Sequence, residues 1–147
     1  MSETDLLSSW FETSTSFIEE CIQQNGKILI HCYHGVSRSA TLLTAYILKR
    51  LLNHKQEKYH ILNGLSTVID VVNFLKSRRP IVCPNDGFIS QLNLWRAMKC
   101  RLDTSFQPYK LYRLDCIYHK MKITKIMPPN VKSFFQVNFK TLEICKH

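Results

Sequence analysis

The sequence predicts an α/β fold in which a single strand is legible, so that these 147 residues are predominantly helical. Three observations lead there. Lys27-Ile28-Leu29-Ile30 is a short, β-branched apolar run after Asn25-Gly26, the pattern of a buried strand following a turn. On both sides of it, apolar residues recur at three- and four-residue spacing, which is the helical period. Between the run and the next helix stands His31-Cys32-Tyr33-His34-Gly35-Val36-Ser37-Arg38-Ser39-Ala40, a loop at a strand-to-helix turn.

In chain order, Leu6, Leu7, Trp10, Phe11, Phe17, Ile18 and Ile22 give one amphipathic helix that stops at Asn25-Gly26. Residues 27–31 follow as the strand. Thr41 to Leu52 makes the helix behind the loop, and residues 53–64 form a polar break. The period resumes over Ser66 to Lys76 through Val68, Ile69, Val72, Phe74 and Leu75. Pro80 and Pro84 bound the next connection. Phe88 to Met98 then forms a helix whose Leu92, Leu94, Trp95 and Met98 face the core. From residue 101 the chain is a basic, aromatic extension, expected to be partly disordered, in which Pro128-Pro129 breaks any long helix.

The loop carries the chemistry. At a strand-to-helix turn the unpaired N–H groups of the loop and of the helix's first turn converge, and with the helix dipole they favour a dianionic phosphate. A cysteine facing such a terminus beside an arginine can have its pKa lowered to about 3.5 to 7.5, so Cys32 can attack as the thiolate. The planar fork of Arg38 can hold two phosphate oxygens while the phosphoryl group moves to sulfur. Gly35 permits the turn because it can adopt positive φ and lets backbone approach the anion. Ser39 is placed to donate to the Cys32 sulfur and to stabilise it as a leaving group when water breaks the phosphoenzyme. A zinc site at His31, Cys32 and His34 is disfavoured: no Cys-x-x-Cys occurs among the six cysteines, and adjacent residues at a strand end point to opposite faces. This chemistry calls for no metal or other cofactor.

His31-Cys32-x-x-Gly35-x-Ser37-Arg38-Ser39, followed by Ala45-Tyr46, by Arg78-Arg79-Pro80 and by Pro84-Asn85-Asp86-Gly87-Phe88 with Gln91, resembles the dual-specificity protein phosphatases of the cysteine-based tyrosine phosphatase superfamily. The resemblance runs from about Asp5 to Met98, and residues 1–100 are taken as a partial catalytic domain with an insertion at 53–66. Tyr109-Lys110-Leu111-Tyr112-Arg113-Leu114 is similar to the segment after the catalytic domain in the dual specificity phosphatase 12 or YVH1 type, in which a zinc-binding region follows; Cys145 would be its first ligand. The resemblance implies a parallel-rich sheet wrapped by helices, with most of the family's strands falling ahead of the position matched by Met1. It also implies Cys32 as nucleophile, Tyr33, His34, Gly35, Val36, Ser37 and Arg38 as phosphate-binding loop, and Ser39 as the aid to phosphoenzyme hydrolysis. His31 would tune the cysteine, and Asn85 would support the loop.

The N-terminus departs from the family pattern. Relatives carry a catalytic aspartate well upstream of the cysteine; aligning Ser8-Ser9-Trp10-Phe11 with them puts that position near Met1, where no aspartate stands. Asp5 and Glu3 are the candidate acids, and Asp5 also reads as a helix cap before Leu6-Leu7.

The expected activity is hydrolysis of phosphotyrosine on proteins, with phosphoserine and phosphothreonine admitted if the pocket is shallow. Phosphorylated proteins are the expected partners. Two further readings use different features. Without its general acid, the loop would make a phosphoprotein-binding pseudophosphatase. The net charge of +9 and the basic and aromatic residues from Lys99 to Lys140 would suit an RNA or ribosome contact. No apolar run of membrane-spanning length and no secretory leader occurs, and the chemistry needs a reduced thiol, so cytosol or nucleus is expected.

Overall fold

The computed structural model describes residues 5–53, 62 and 64–124. The chain divides into two units, 1–106 and 107–147. The first contains α1 (Leu6–Ser9), α2 (Phe11–Gln23), α3 (Arg38–Asn53), α4 (Val68–Arg78) and α5 (Asp86–Ala97).

The helix expected over residues 6–22 is broken at Trp10, whose φ of −128° and ψ of −26° end α1 and precede α2. The turn ahead of the break is held by a side chain distant in sequence. α1 is a single turn, and its first three amides are satisfied from outside the helix ladder. The buried Gln91 Oε1 accepts from Leu6 N–H at 2.9 Å and from Leu7 N–H at 3.0 Å, and Asp5 Oδ1 accepts from Ser8 N–H at 3.0 Å. α1 is thereby docked on α5, with Leu6 and Leu7 buried. Gln91→Leu leaves the two amides without that acceptor, and we expect a loss of about 2 kcal/mol or more in chemical denaturation. A loss under about 0.5 kcal/mol would mean that water replaces the side chain.

α3 lies at the centre, packed against α2, α4 and α5. Its buried face carries Thr41, Thr44, Ala45 and Leu48, and both threonine hydroxyls are satisfied within the helix or at its start, donating to Ser37 O and Ala40 O. Trp95 of α5 is fully buried; its indole N–H donates to Ala45 O at 3.2 Å, and its ring meets Phe11 edge-on at 5.6 Å. Of the expected α5 core residues, Leu92, Trp95 and Met98 are buried and Leu94 is half-buried. A polar clasp closes the α2–α3 seam: Glu19 accepts from Arg50 at 2.6 Å and from the Tyr46 hydroxyl at 2.9 Å. α4 starts on a capping box, Thr67 with Asp70, which explains why it begins at Val68.

The strand expected at Lys27–Ile30 is corrected: no strand is present among the described residues. The segment is not buried either, since Leu29 is 83% exposed. Its alternation survives, with Ile28 and Ile30 half-buried and Lys27, Leu29 and His31 exposed. The period of two records which face packs on the helices. A ladder also needs a partner strand, which local sequence does not supply.

In the second unit, α6 (Gln107–Thr124) is a helix within the extension that begins at residue 101. Pro108 falls in its first turn, where a missing N–H costs nothing. Lys110, Arg113, Lys120 and Lys122 lie on it, with the Tyr109 and Tyr112 rings stacked at 6.3 Å. Lys125, Pro128-Pro129, Lys132, Phe134, Phe135, Phe139, Lys140 and Cys145 lie outside the described residues, as do Glu3 and most of the insertion at 53–66. No helix among the described residues is long and apolar enough to cross a membrane.

Candidate active site

The loop Cys32–Ser37 leads directly into α3, which starts at Arg38. The Ser37 carbonyl accepts from both the Thr41 N–H and the Thr41 hydroxyl, each at 2.9 Å, so the helix start is tied to the loop's last residue. Gly35 makes the turn at φ +67°, in the region that side chains disfavour.

Cys32 Sγ lies 3.3 Å from Ser39 Oγ. Burial pushes the Cys32 pKa up, and this is outweighed by the Ser39 hydroxyl and by the backbone N–H groups of Ser39, Gly35 and His34, so that it falls from 9.0 to about 6. About nine-tenths of Cys32 is then thiolate at pH 7, against about one-hundredth for an ordinary thiol. The Ser39 hydroxyl and the three amides are the groups that lower it. Cys100 shows the opposite case, for burial pushes that thiol up to about 12 and leaves it inert at neutral pH.

Tyr33 is 87% exposed, with its ring edge-on to His34 at 4.6 Å; His31, His34 and Arg38 are exposed, and Val36 and Ser37 are half-buried. Asn85 has two positions to hold. Its Oδ1 accepts from Phe88 N–H at 2.9 Å, capping α5, while its own N–H donates to Ser37 Oγ at 3.3 Å. Asp5 is engaged as the cap of α1. Two contacts on the loop are not foreshadowed by the sequence: Cys83 N–H donates to Val36 O at 2.9 Å, and the Arg79 guanidinium lies against Gly35. The only signal for them was Arg78-Arg79-Pro80, recognisable as a motif but silent on what its arginines touch. Among the described residues no cluster of three or more His, Cys, Asp or Glu is arranged to hold a metal.

The chain is similar to known proteins. A family model described as "Dual specificity phosphatase, catalytic domain" matches residues 1–98. The dual specificity protein phosphatase MPK-4 of Drosophila melanogaster is 37% identical over 133 residues, 90% of this chain and 31% of its own length. Human dual specificity protein phosphatase 12 is 32% identical over 126 residues, 86% of this chain and 33% of its own length. The chain thus spans about a third of these relatives. Both alignments are longer than the matched domain and so extend into the basic segment after residue 98. Among solved structures, the Yvh1 phosphatase domain from Chaetomium thermophilum superposes with a TM-score of 0.54 at 28% identity, covering 70% of this chain and 64% of that one. A phosphatase-type loop on the start of a central helix, matched over residues 1–98, places the chain in the dual specificity phosphatase family.

Proposed function

We propose that the chain is a protein phosphatase acting on phosphotyrosine, and on phosphoserine or phosphothreonine where the pocket admits the shorter side chains, through a cysteinyl-phosphate intermediate. The observation that carries this is the Cys32 sulfur, held by the Ser39 hydroxyl and the amides of His34, Gly35 and Ser39. The same amides that stabilise a thiolate are disposed to bind the oxygens of a phosphoryl group.

The reaction has two displacements. Cys32 Sγ attacks phosphorus, the bond to the ester oxygen breaks, and the phosphoryl group passes to sulfur while Arg38 holds its oxygens. Water then attacks phosphorus, inorganic phosphate leaves, and the sulfur departs as a thiolate stabilised by the Ser39 hydroxyl. The first leaving oxygen needs a proton in proportion to its basicity. The Asp5 carboxylate, at work as the cap of α1, supports a reading in which no acid from α1 supplies it.

The test compares leaving groups. An aryl phosphate, whose phenolate leaves without much help, is expected to turn over with a kcat/KM that rises through pH 6 as Cys32 ionises. An alkyl phosphate should be slower by about 100- to 10,000-fold, the usual contribution of a general acid. Tight binding of phosphopeptide with no aryl turnover would instead favour the phosphoprotein-binding module.

A further inference from the structure

The connection between α4 and α5 runs along the outside of the phosphate loop and meets it at three successive residues. Arg79 lies on Gly35, Cys83 N–H donates to Val36 O at 2.9 Å, and Asn85 N–H donates to Ser37 Oγ at 3.3 Å. The connection is itself anchored. Arg79 N–H donates to Leu75 O at the end of α4, Val82 N–H returns to Arg79 O at 3.0 Å, and Val82 and Pro84 are buried between the exposed residues.

Two of the three contacts are made by backbone N–H groups, which many sequences could supply. The third is specific. A Cβ placed on Gly35 would stand 3.1 Å from Arg79 Nη2 and 3.6 Å from both Cζ and Nε. Nη2 is the nearest of the three, so the guanidinium reaches the glycine with its Nη2 end. The guanidinium end closes on the side of Gly35 where a Cβ would stand, and a Cβ there would ask it to give by a few tenths of an ångström. Arg79 is otherwise exposed, and no ion pair between described residues engages it.

Gly35 needs such a cover. It is the residue of the loop with positive φ, and a glycine's φ and ψ are restrained less by its own atoms than those of any other residue. Its amide is one of the groups that lower the Cys32 pKa, so a rotation of that peptide would take a donor away from the thiolate and from a bound phosphoryl group.

We infer that Arg79 is a positioning residue for the phosphate cradle: its guanidinium end braces the left-handed turn at Gly35 and keeps the Gly35 amide aimed inward. The inference rests on the Cys32 reading above and adds a residue that acts through Gly35. Shape, more than charge, is what the contact supplies. A lysine carries the charge without the branched Nη2 end that reaches Gly35, so Arg79→Lys should behave like Arg79→Ala.

The experiment uses the full chain and two small probes, which have no flanking groups for Arg79 to bind. Iodoacetate labelling of Cys32 is followed against pH, and inorganic phosphate is titrated as the protecting ligand. In both Arg79→Ala and Arg79→Lys the labelling midpoint should move to higher pH, and protection should need about tenfold more phosphate. Turnover of an aryl phosphate should fall by about 10- to 100-fold, the scale on which small misplacements act. Wild-type behaviour of Arg79→Lys would reduce the role to charge and overturn the inference. So would an unchanged midpoint and unchanged protection in Arg79→Ala, including the case in which only acidic phosphopeptides lose affinity. A wild-type chain that labels quickly and is protected by phosphate, yet hydrolyses nothing, would sink the hydrolase reading while leaving the Arg79 comparison fully readable.

Discussion

Cys32→Ser is expected to abolish hydrolysis of aryl phosphates, by more than about 10,000-fold, because a covalent nucleophile cannot be replaced by the rest of the site. The hydroxyl is smaller than the thiol and fits the same space, but it remains protonated where Cys32, with a pKa near 6, is largely ionised. The donors that would bind phosphate are the His34, Gly35 and Ser39 amides, and the substitution leaves them in place. Phosphopeptide affinity should therefore persist while turnover disappears. Mass spectrometry of wild-type protein quenched during turnover should find one phosphoryl group on Cys32, and none on the variant. Residual aryl hydrolysis of more than a few per cent in Cys32→Ser would show that another group attacks phosphorus.

The second large effect is expected at Arg38. It opens α3 immediately after the loop, and its exposed side chain is not part of the core. Arg38→Lys keeps the net charge of +9 and the fold, so any change reports geometry. A guanidinium can hold two equatorial oxygens at once as phosphorus moves between oxygen and sulfur, whereas an ammonium offers a point charge. We expect kcat to fall by about 100- to 1,000-fold, the cost of losing one well-placed donor to a developing charge. Because the Cys32 shift comes from the Ser39 hydroxyl and the loop amides, the pH at which Cys32 ionises should stay near 6. A fall smaller than tenfold would mean that Arg38 does not ligate the transferring group. A large move of the ionisation midpoint would mean that its charge does act on the sulfur.

A cysteine at a turn into a helix, with a glycine and an arginine after it, marks Cys32 as the candidate nucleophile. The groups that lower its pKa are not visible there. Proximity along the chain puts Arg38 and His31 beside the sulfur, while the folded loop turns three N–H groups and one hydroxyl toward it. Peptide dipoles follow from φ and ψ, and no residue type announces where its amide will point.

The helices show a similar division. Those after the loop were legible because their apolar period is local; the structure extends them by one to three residues at most of their ends, to Arg38–Asn53, Val68–Arg78 and Asp86–Ala97. The break at Trp10 was not legible. It depends on Gln91, some eighty residues away, whose one oxygen takes two amides at the start of α1. The strand failed for the opposite reason: its alternation was correctly visible, but alternation specifies a covered face and not a partner.

Residue type and short spacing were therefore enough for the candidate groups of the loop and for the helical segments that carry them. Folding alone aims them: Asn85 and Cys83 are bonded to the loop, and the Arg79 guanidinium lies against Gly35. Each of these joins residues through directional contacts a few ångströms long. Contacts of that kind between distant positions exist only after the core has fixed the backbone, so the linear order of the residues cannot display them.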